Sequence, residues 1–288
     1  KVIGFGGGKS ELIRIGAFDD IDIAVGHHTM MRDGIALANY STNGFVNKVV
    51  TFHGKSAHAA AEPEKGIDAL NAAMLALHGV DMQREAQRDE DAIRIHSFLP
   101  RAGEAMNVIS DTAVIESSVR AKTIPAYLEA GRKYDMAMKG GAMALGCGVE
   151  IRTVPGYLPV YPVKHAWGIR EALEEAAGTA YPLTILEEGF HETGSTDFGD
   201  LSCVKPVLQF RTGGFSGALH NPNIRVVDEQ LAYVEAARIF ALTVCKLLKN
   251  KGENAEKIIG EFEPVMSKEE FIAFMKSNNH VETFAPEA

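Results

Sequence analysis

Cysteine is scarce in this 288-residue chain: Cys147, Cys203 and Cys245 stand far apart, without the close pairing of a zinc knuckle or a redox motif. They are expected to be buried thiols in a reducing compartment. No apolar run approaches the roughly 18 residues of a membrane span, and Lys1 to Ser10 shows no signal-peptide pattern, so a cytoplasmic protein with no membrane partner is expected. There is no lysine- or arginine-rich run, and the net charge is −9. That balance argues against nucleic acid as the partner and leaves a small molecule or another protein. With 46% hydrophobic and 23% charged residues, the chain has the composition of an ordinary globular protein large enough for two modest cores.

Glycine gathers at Gly4 to Ser10, in a loop followed by a short helical pattern to Gly16 and an apolar strand, Ile21 to Val25, that ends at His27 and His28. A phosphate-binding loop is excluded by spacing, since its first glycine would fall where Ile3 stands. From Asn47 to Tyr157 the pattern becomes strand, helix, strand, strand, helix, strand. The strands are expected at Val49 to Phe52, Ala92 to Leu99, Thr112 to Arg120 and Val149 to Val154. Ile67, Leu70, Met74 and Leu77 read as the buried face of the first helix, and Thr123 with Pro125 signals the start of the second, which ends near Gly146. This order is that of a split βαβ, ferredoxin-like sandwich. Mixed α/β character returns after Pro159, with a helix around Ala166 to Ala177 and a strand from Pro206 to Phe210. A long helix starts at Asp228, with Leu231, Val234, Ala241, Cys245 and Leu248 as its apolar stripe, and runs out at Lys249 to Asn254. In the tail beyond it, Ser267 to Lys276 reads as a short serine-capped helix.

Three histidines occupy positions that packing explains poorly: His28 at a strand end, His58 in Gly54-Lys55-Ser56-Ala57-His58-Ala59, and His220 after Gly217-Ala218-Leu219. Imidazoles at such places can each supply one bond to a metal centre assembled by folding. Taken singly, each is more often a surface or core histidine satisfied by hydrogen bonds. Their context is more specific. Gly16-Ala17-Phe18-Asp19-Asp20-Ile21-Asp22 before His28, Phe52-His53-Gly54-Lys55-Ser56-Ala57-His58-Ala59 with Pro63 and Gly66-Ile67-Asp68-Ala69, Asn107-Val108-Ile109 with Arg120, Gly194-Ser195-Thr196-Asp197-Phe198-Gly199-Asp200, and Leu219-His220 follow in order. Together they resemble the M20 family of metallopeptidases and amidohydrolases across roughly residues 4 to 250.

The resemblance implies an α/β fold: a zinc-peptidase-like catalytic domain over 1–45 and 158–250, an inserted ferredoxin-like βαββαβ dimerisation domain over 46–157, and a C-terminal extension over 251–288. It implies a two-metal hydrolase, with zinc or manganese, in which a metal-bridging water attacks an amide carbonyl. His28 and His220 would be ligands to different ions. His58 would reach across a homodimer interface and, with Asn107, stabilise the oxyanion in the partner's site. Arg120 is a candidate for the substrate carboxylate, with a structural salt bridge as the equal alternative. The expected substrate is an N-acyl amino acid, an aminobenzoyl-glutamate-like amide or a dipeptide.

The chain also departs from the family. The family's catalytic domain begins earlier, with a Cys- or His-containing metal motif and paired glutamates before the glycine loop, and neither stands in this sequence. Glu187 and Glu188 offer no substitute; they read as a solvated acidic face, and His191 and Glu192 are given the same reading. The chain is therefore expected to be a fragment of a complete enzyme or one half of a split protein whose N-terminal half is a separate chain. The alternative is a catalytically inactive homologue serving as a dimerisation or binding module.

Overall fold

The computed structural model describes residues 7–187 and 189–286. Gly4 to Gly6 of the glycine-rich segment and Glu188 of the acidic pair lie outside the described residues. Helix α1 (Gly8–Arg14) begins inside the expected loop, because the Ser10 hydroxyl turns back onto the Gly7 carbonyl at 2.7 Å and Ile13 is buried. Strand β1 (Ala24–Thr29) starts later than the expected Ile21, since Ile21 closes a turn onto the Phe18 carbonyl. His27 and His28 thus lie within the strand. Strands β2 (Ile35–Ala38) and β3 (Ser41–Thr42) were not foreseen: the first is buried at every residue and carries no alternation, and the second has only two residues.

The split-βαβ order is present as read. It comprises β4 (Gly44–His53), α2 (Ala69–Met82), β5 (Arg94–Arg101), β6 (Thr112–Ala121), α3 (Ile124–Leu145) and β7 (Gly148–Pro155). The four strands pair antiparallel in the order β7-β4-β6-β5, and α2 and α3 pack together across one face. Thr123 caps α3 by accepting from the Ala126 N–H at 3.2 Å. The buried face of α2 differs from the expectation. Ala69, Ala72, Ala73, Ala76 and Val80 point inward, while Met74 is 58% exposed. The cause is a close approach to α3 at Gly141, where a Cβ would meet the Ala76 Cβ at 2.7 Å. Only small residues fit that seam, so the larger ones sit at its rim.

Next come α4 (Ile169–Ala177), β8 (Leu183–Leu186), β9 (His191–Glu192), α5 (Phe198–Ser202), β10 (Val207–Thr212), β11 (Phe215–Ser216), β12 (Arg225–Val226) and α6 (Ala236–Glu261). A second sheet has the order β1-β10-β2-β8, with β1 parallel to β10, β2 antiparallel to it, and β8 parallel to β2. Before α6 the chain makes a π-helical turn over Gln230–Glu235. The wider turn shifts the helical phase, so Ile239, Thr243 and Leu247 are buried, whereas Val234 and Leu248 of the expected stripe are exposed. Cys245 is exposed too, unlike buried Cys147 and Cys203, and departs from the expectation of three buried thiols.

The tail has a defined place. Non-helical backbone at Lys249 to Gly252 breaks α6, which then resumes to Glu261. Helix α7 (Lys268–Ser277) opens with the expected serine cap: the Glu270 N–H donates to Ser267 Oγ at 3.2 Å and the Ser267 N–H to Glu270 Oε2 at 2.7 Å. Phe271 and Met275 of α7 bury fully in the core shared with α1, and β13 (His280–Phe284) pairs antiparallel with β7. One short segment therefore touches the helices of one sheet and the edge of the other. Among the described residues no helix is long and apolar enough to cross a membrane.

Candidate active site

Polar residues on two strands define the site. Strand β10 is buried almost throughout, yet it carries Gln209 and Arg211 two residues apart, and alternation puts them on one face. In β1 the register sets His28 beside Arg211 and Gly26 beside Gln209. These strands form one wall of a cavity of about 490 Å³, lined also by Tyr40, Arg120, Glu192 and His220. A side chain at Gly26 would overlap the Phe198 ring, which stands edge-on to His28 at 5.5 Å.

The adjacent histidines face opposite ways. His27 packs on Phe210 at 4.9 Å with Nε2 2.8 Å from Thr212 Oγ1; burial first, then the neighbouring His28, lowers its pKa to about 4. His28 looks into the cavity, its Nε2 3.1 Å from Thr196 Oγ1. Burial, and after it Arg211, pushes its pKa below the ordinary value. At neutral pH it is therefore a neutral imidazole, the form that ligates a metal or accepts a proton. His220 lies exposed on the rim with φ of 59°, a left-handed backbone uncommon for a residue with a Cβ.

Arg120 comes from the other sheet, opposite Phe45 in the β4–β6 register. Its guanidinium lies over the Phe45 ring at 5.1 Å and donates to Ser195 Oγ at 3.3 Å. Among the described residues it has no acidic partner. His58 and Asn107 lie outside this cavity, exposed on neighbouring loops: the Ala59 N–H donates to the Asn107 carbonyl at 3.0 Å, and His58 bridges to Val108. The Ala60 and Ala61 N–H groups donate to His58 Nδ1 at 3.3 and 3.1 Å. A neutral ring so held carries its proton on Nε2, which is left as an outward donor. The five candidates thus divide into a cavity group of His28, Arg120 and His220 and a loop pair of His58 and Asn107.

Three cavity residues escaped the sequence reading: Arg211, Tyr40 and Glu192, the last having been read as part of a solvated acidic face. Glu192 Oε2 accepts from Arg211 Nη2 and from the Tyr40 hydroxyl, each at 2.6 Å. His191, given the same reading, is half-buried between Ser41 Oγ and Asn43 Oδ1, each 2.9 Å from a ring nitrogen. Glu187, in contrast, lines no part of the cavity, and its side chain pairs with Arg170.

Among the described residues no three His, Cys, Asp or Glu side chains gather in a way that could hold an ion. The cavity offers two imidazoles, and its one carboxylate is engaged by Arg211 and Tyr40. That falls short of the three or four protein ligands a zinc site uses, so the described residues do not hold a metal by themselves.

No protein-family model matches the chain. Known proteins do. Human Xaa-Arg dipeptidase is 27% identical over 278 residues, covering 93% of this chain and 61% of that protein. N-acetyldiaminopimelate deacetylase of Streptococcus thermophilus is 30% identical over 218 residues, covering 73% of this chain and 54% of that protein. The chain thus spans between half and two-thirds of the length of these relatives. Among solved structures, a Bacillus subtilis protein described as a dinuclear metal-binding peptidase of the M20 family superposes with a TM-score of 0.60 at 18% identity, covering 88% of this chain and 61% of that one. In sequence this chain is similar to these two hydrolases, and its fold is that of the M20-family peptidase.

Proposed function

We propose that the protein containing this chain hydrolyses an amide bond whose product amino acid carries a free carboxylate, in an N-acyl amino acid, an aminobenzoyl-glutamate-like amide or a dipeptide. One observation carries the reading. Arg120 is a guanidinium without an acidic partner among the described residues, and it shares a cavity with His28 and His220. A planar cation left open beside two imidazoles suits a carboxylate held bidentately while the adjacent amide lies near the histidines.

In this reading His28 and His220 would be two ligands of a pair of divalent ions, zinc or manganese, with the remaining donors and the general base supplied from outside the described residues. When bound, the ions would polarise the carbonyl and acidify a water. His58 and Asn107 act from a second copy of the chain. The two backbone donors on His58 Nδ1 support this, because they leave Nε2–H free to donate to a developing oxyanion. Residues 46–157 then form the dimerisation domain, and 1–45 with 158–250 the catalytic one. A cytoplasmic setting belongs to the same reading, supported by the absence of disulfides among the described cysteines.

A second reading, an inactive binding or assembly module, is favoured by the lack of a three-donor cluster among the described residues. Amine release decides between them. The intact protein, supplied with zinc or manganese, is expected to liberate amine from an N-acetyl amino acid, p-aminobenzoyl-glutamate or a dipeptide. No release above background from any of the three would favour the binding module.

A further inference from the structure

Asn43 stands at the crossing from the β3–β9 pair into the sheet that holds β4, and it is fully buried. A side-chain amide in such a place costs stability unless its polar atoms are paired. Its pairs run to both sides of the crossing. Nδ2 donates to the Ala92 carbonyl at 3.0 Å, in the turn that leads into β5, and Oδ1 accepts from His191 Nε2 at 2.9 Å, at the start of β9. The backbone N–H is shared between the carbonyls of Glu192 and Gly194, at 3.2 and 3.0 Å. His191 is held in one tautomer, because a neutral ring that donates from Nε2 leaves Nδ1 to accept from Ser41 Oγ at 2.9 Å. Burial, and after it Lys122, pushes its pKa below the ordinary value, which favours that neutral ring.

The segment that Asn43 grips carries much of the cavity wall. Between Glu192 and Thr196 it brings Glu192 to Arg211, Ser195 Oγ to Arg120 Nη1 at 3.3 Å and Thr196 Oγ1 to His28 Nε2 at 3.1 Å. On the other side, the turn at Ala92 is tied to the end of β6: the Lys122 N–H, two residues after Arg120, donates to the Asp91 carbonyl at 2.8 Å. Phe45, whose ring meets the Arg120 guanidinium, follows two residues after Asn43. Asn43 itself lines no part of the cavity. Resting on the hydrolase reading above, we infer that Asn43 is a positioning residue: bonded at once to Ala92 and His191, it holds the loop from Glu192 to Thr196 against the strand of Arg120, and so sets the spacing between the carboxylate receiver and His28. A donor and an acceptor on one short planar group are needed to join the two sides. Aspartate, of the same shape, would set an oxygen against the Ala92 carbonyl.

The test measures equilibrium binding to the intact protein of N-methylsulfonylalanine, in which a sulfonamide replaces the scissile amide, and of its carboxamide. The wild type is expected to prefer the acid by about tenfold or more, the scale of a charge-assisted hydrogen bond, and Arg120→Ala to lose that preference. Asn43→Ala and His191→Ala break the link from opposite sides, and each is expected to bring the two affinities to within about threefold. His191→Gln, which can donate from the Nε2 position, is expected to keep most of the preference. Added to Arg120→Ala, Asn43→Ala is expected to change the ratio no further, because it acts through that arginine. His191 is only half-buried, so His191→Ala serves where Asn43→Ala does not fold. A role in stability alone lowers the midpoint of thermal unfolding and leaves the ratio at its wild-type value. A wild-type preference that the variants keep therefore overturns the positioning role and spares the hydrolase reading. No preference in the wild type overturns the positioning role together with the carboxylate site of that reading.

Discussion

Gly141 of α3 lies so close to Ala72 of α2 that a Cβ at Gly141 would come 2.6 Å from the Ala72 carbonyl oxygen. The seam between these helices is built on alanine and glycine, and its tolerance differs sharply from one residue to the next. Gly141→Ala is expected to destabilise the fold by about 1–3 kcal/mol through overpacking, despite its better helix propensity. Gly140, one residue earlier, has open space where its Cβ would be, and Gly140→Ala is expected to stabilise by up to about 1 kcal/mol. Urea unfolding of the two variants gives both numbers, and equal effects would contradict the close seam.

Asp200 gives stability an unusual pH dependence. It is fully buried, with Oδ1 accepting from the Leu158 N–H at 2.9 Å and Oδ2 without a partner among the described residues. Burial, opposed by the Leu158 bond and reinforced by Asp197, lifts its pKa to about 7. The folded protein keeps this proton up to about pH 7, while the unfolded chain releases it near the ordinary 3.8. Asp200 therefore contributes stability that is fully present below pH 3.8 and lost as the pH rises through 7. His27 has the opposite sign: its contribution is present above pH 6.5 and fades as the pH falls toward 4. Comparing wild type with Asp200→Asn isolates the first effect. The difference in unfolding free energy is expected to move in the variant's favour by on the order of 3 kcal/mol from about pH 4.5 to pH 8. A difference that stays constant would mean that Asp200 is ionised in the fold.

Much of this fold is legible in the sequence, and the failures have physical causes. The β4 to β7 order could be read because its sheet has one wet face, so burial alternates along β4 and β6. Strand β2, buried at every residue, and two-residue β3 and β9 carry no such period. The α2 face was legible only in part: Ile67 and Leu77 pack against the core, but Met74 is exposed and the seam at Gly141 is lined by Ala72 and Ala76, which carry no large apolar signal. One π turn was enough to rotate the α6 stripe. In the candidate site, His28, Arg120 and His220 were found through ordered motifs and meet in one cavity. Arg211 had a weaker signal: with Gln209 it places polar side chains at alternate positions of an otherwise apolar strand. Glu192 had none, because its role depends on Tyr40 and Arg211, 152 and 19 residues away.

Arg120 is expected to act in binding. Arg120→Ala should raise KM for a carboxylate-bearing amide by about 10- to 100-fold, the worth of a hydrogen-bonded charge, and Arg120→Lys should restore little of it because a point charge lacks the planar fork. Steady-state kinetics with a substrate and its carboxamide analogue check this. A variant that loses affinity equally for both would show that Arg120 serves the fold and not the carboxylate.

Subunit mixing tests most directly whether the proposed amide-hydrolysing site is shared between two copies of the chain. His58→Ala and His220→Ala are each expected to be inactive as homodimers, since each damages both sites. In a mixed dimer one site keeps both histidines, so an equal mixture, dissociated and allowed to reassociate, is expected to regain about a quarter of wild-type amide hydrolysis by random pairing of subunits. A mixture that forms dimers yet stays inactive, or a His58→Ala protein that is fully active alone, would contradict the shared site.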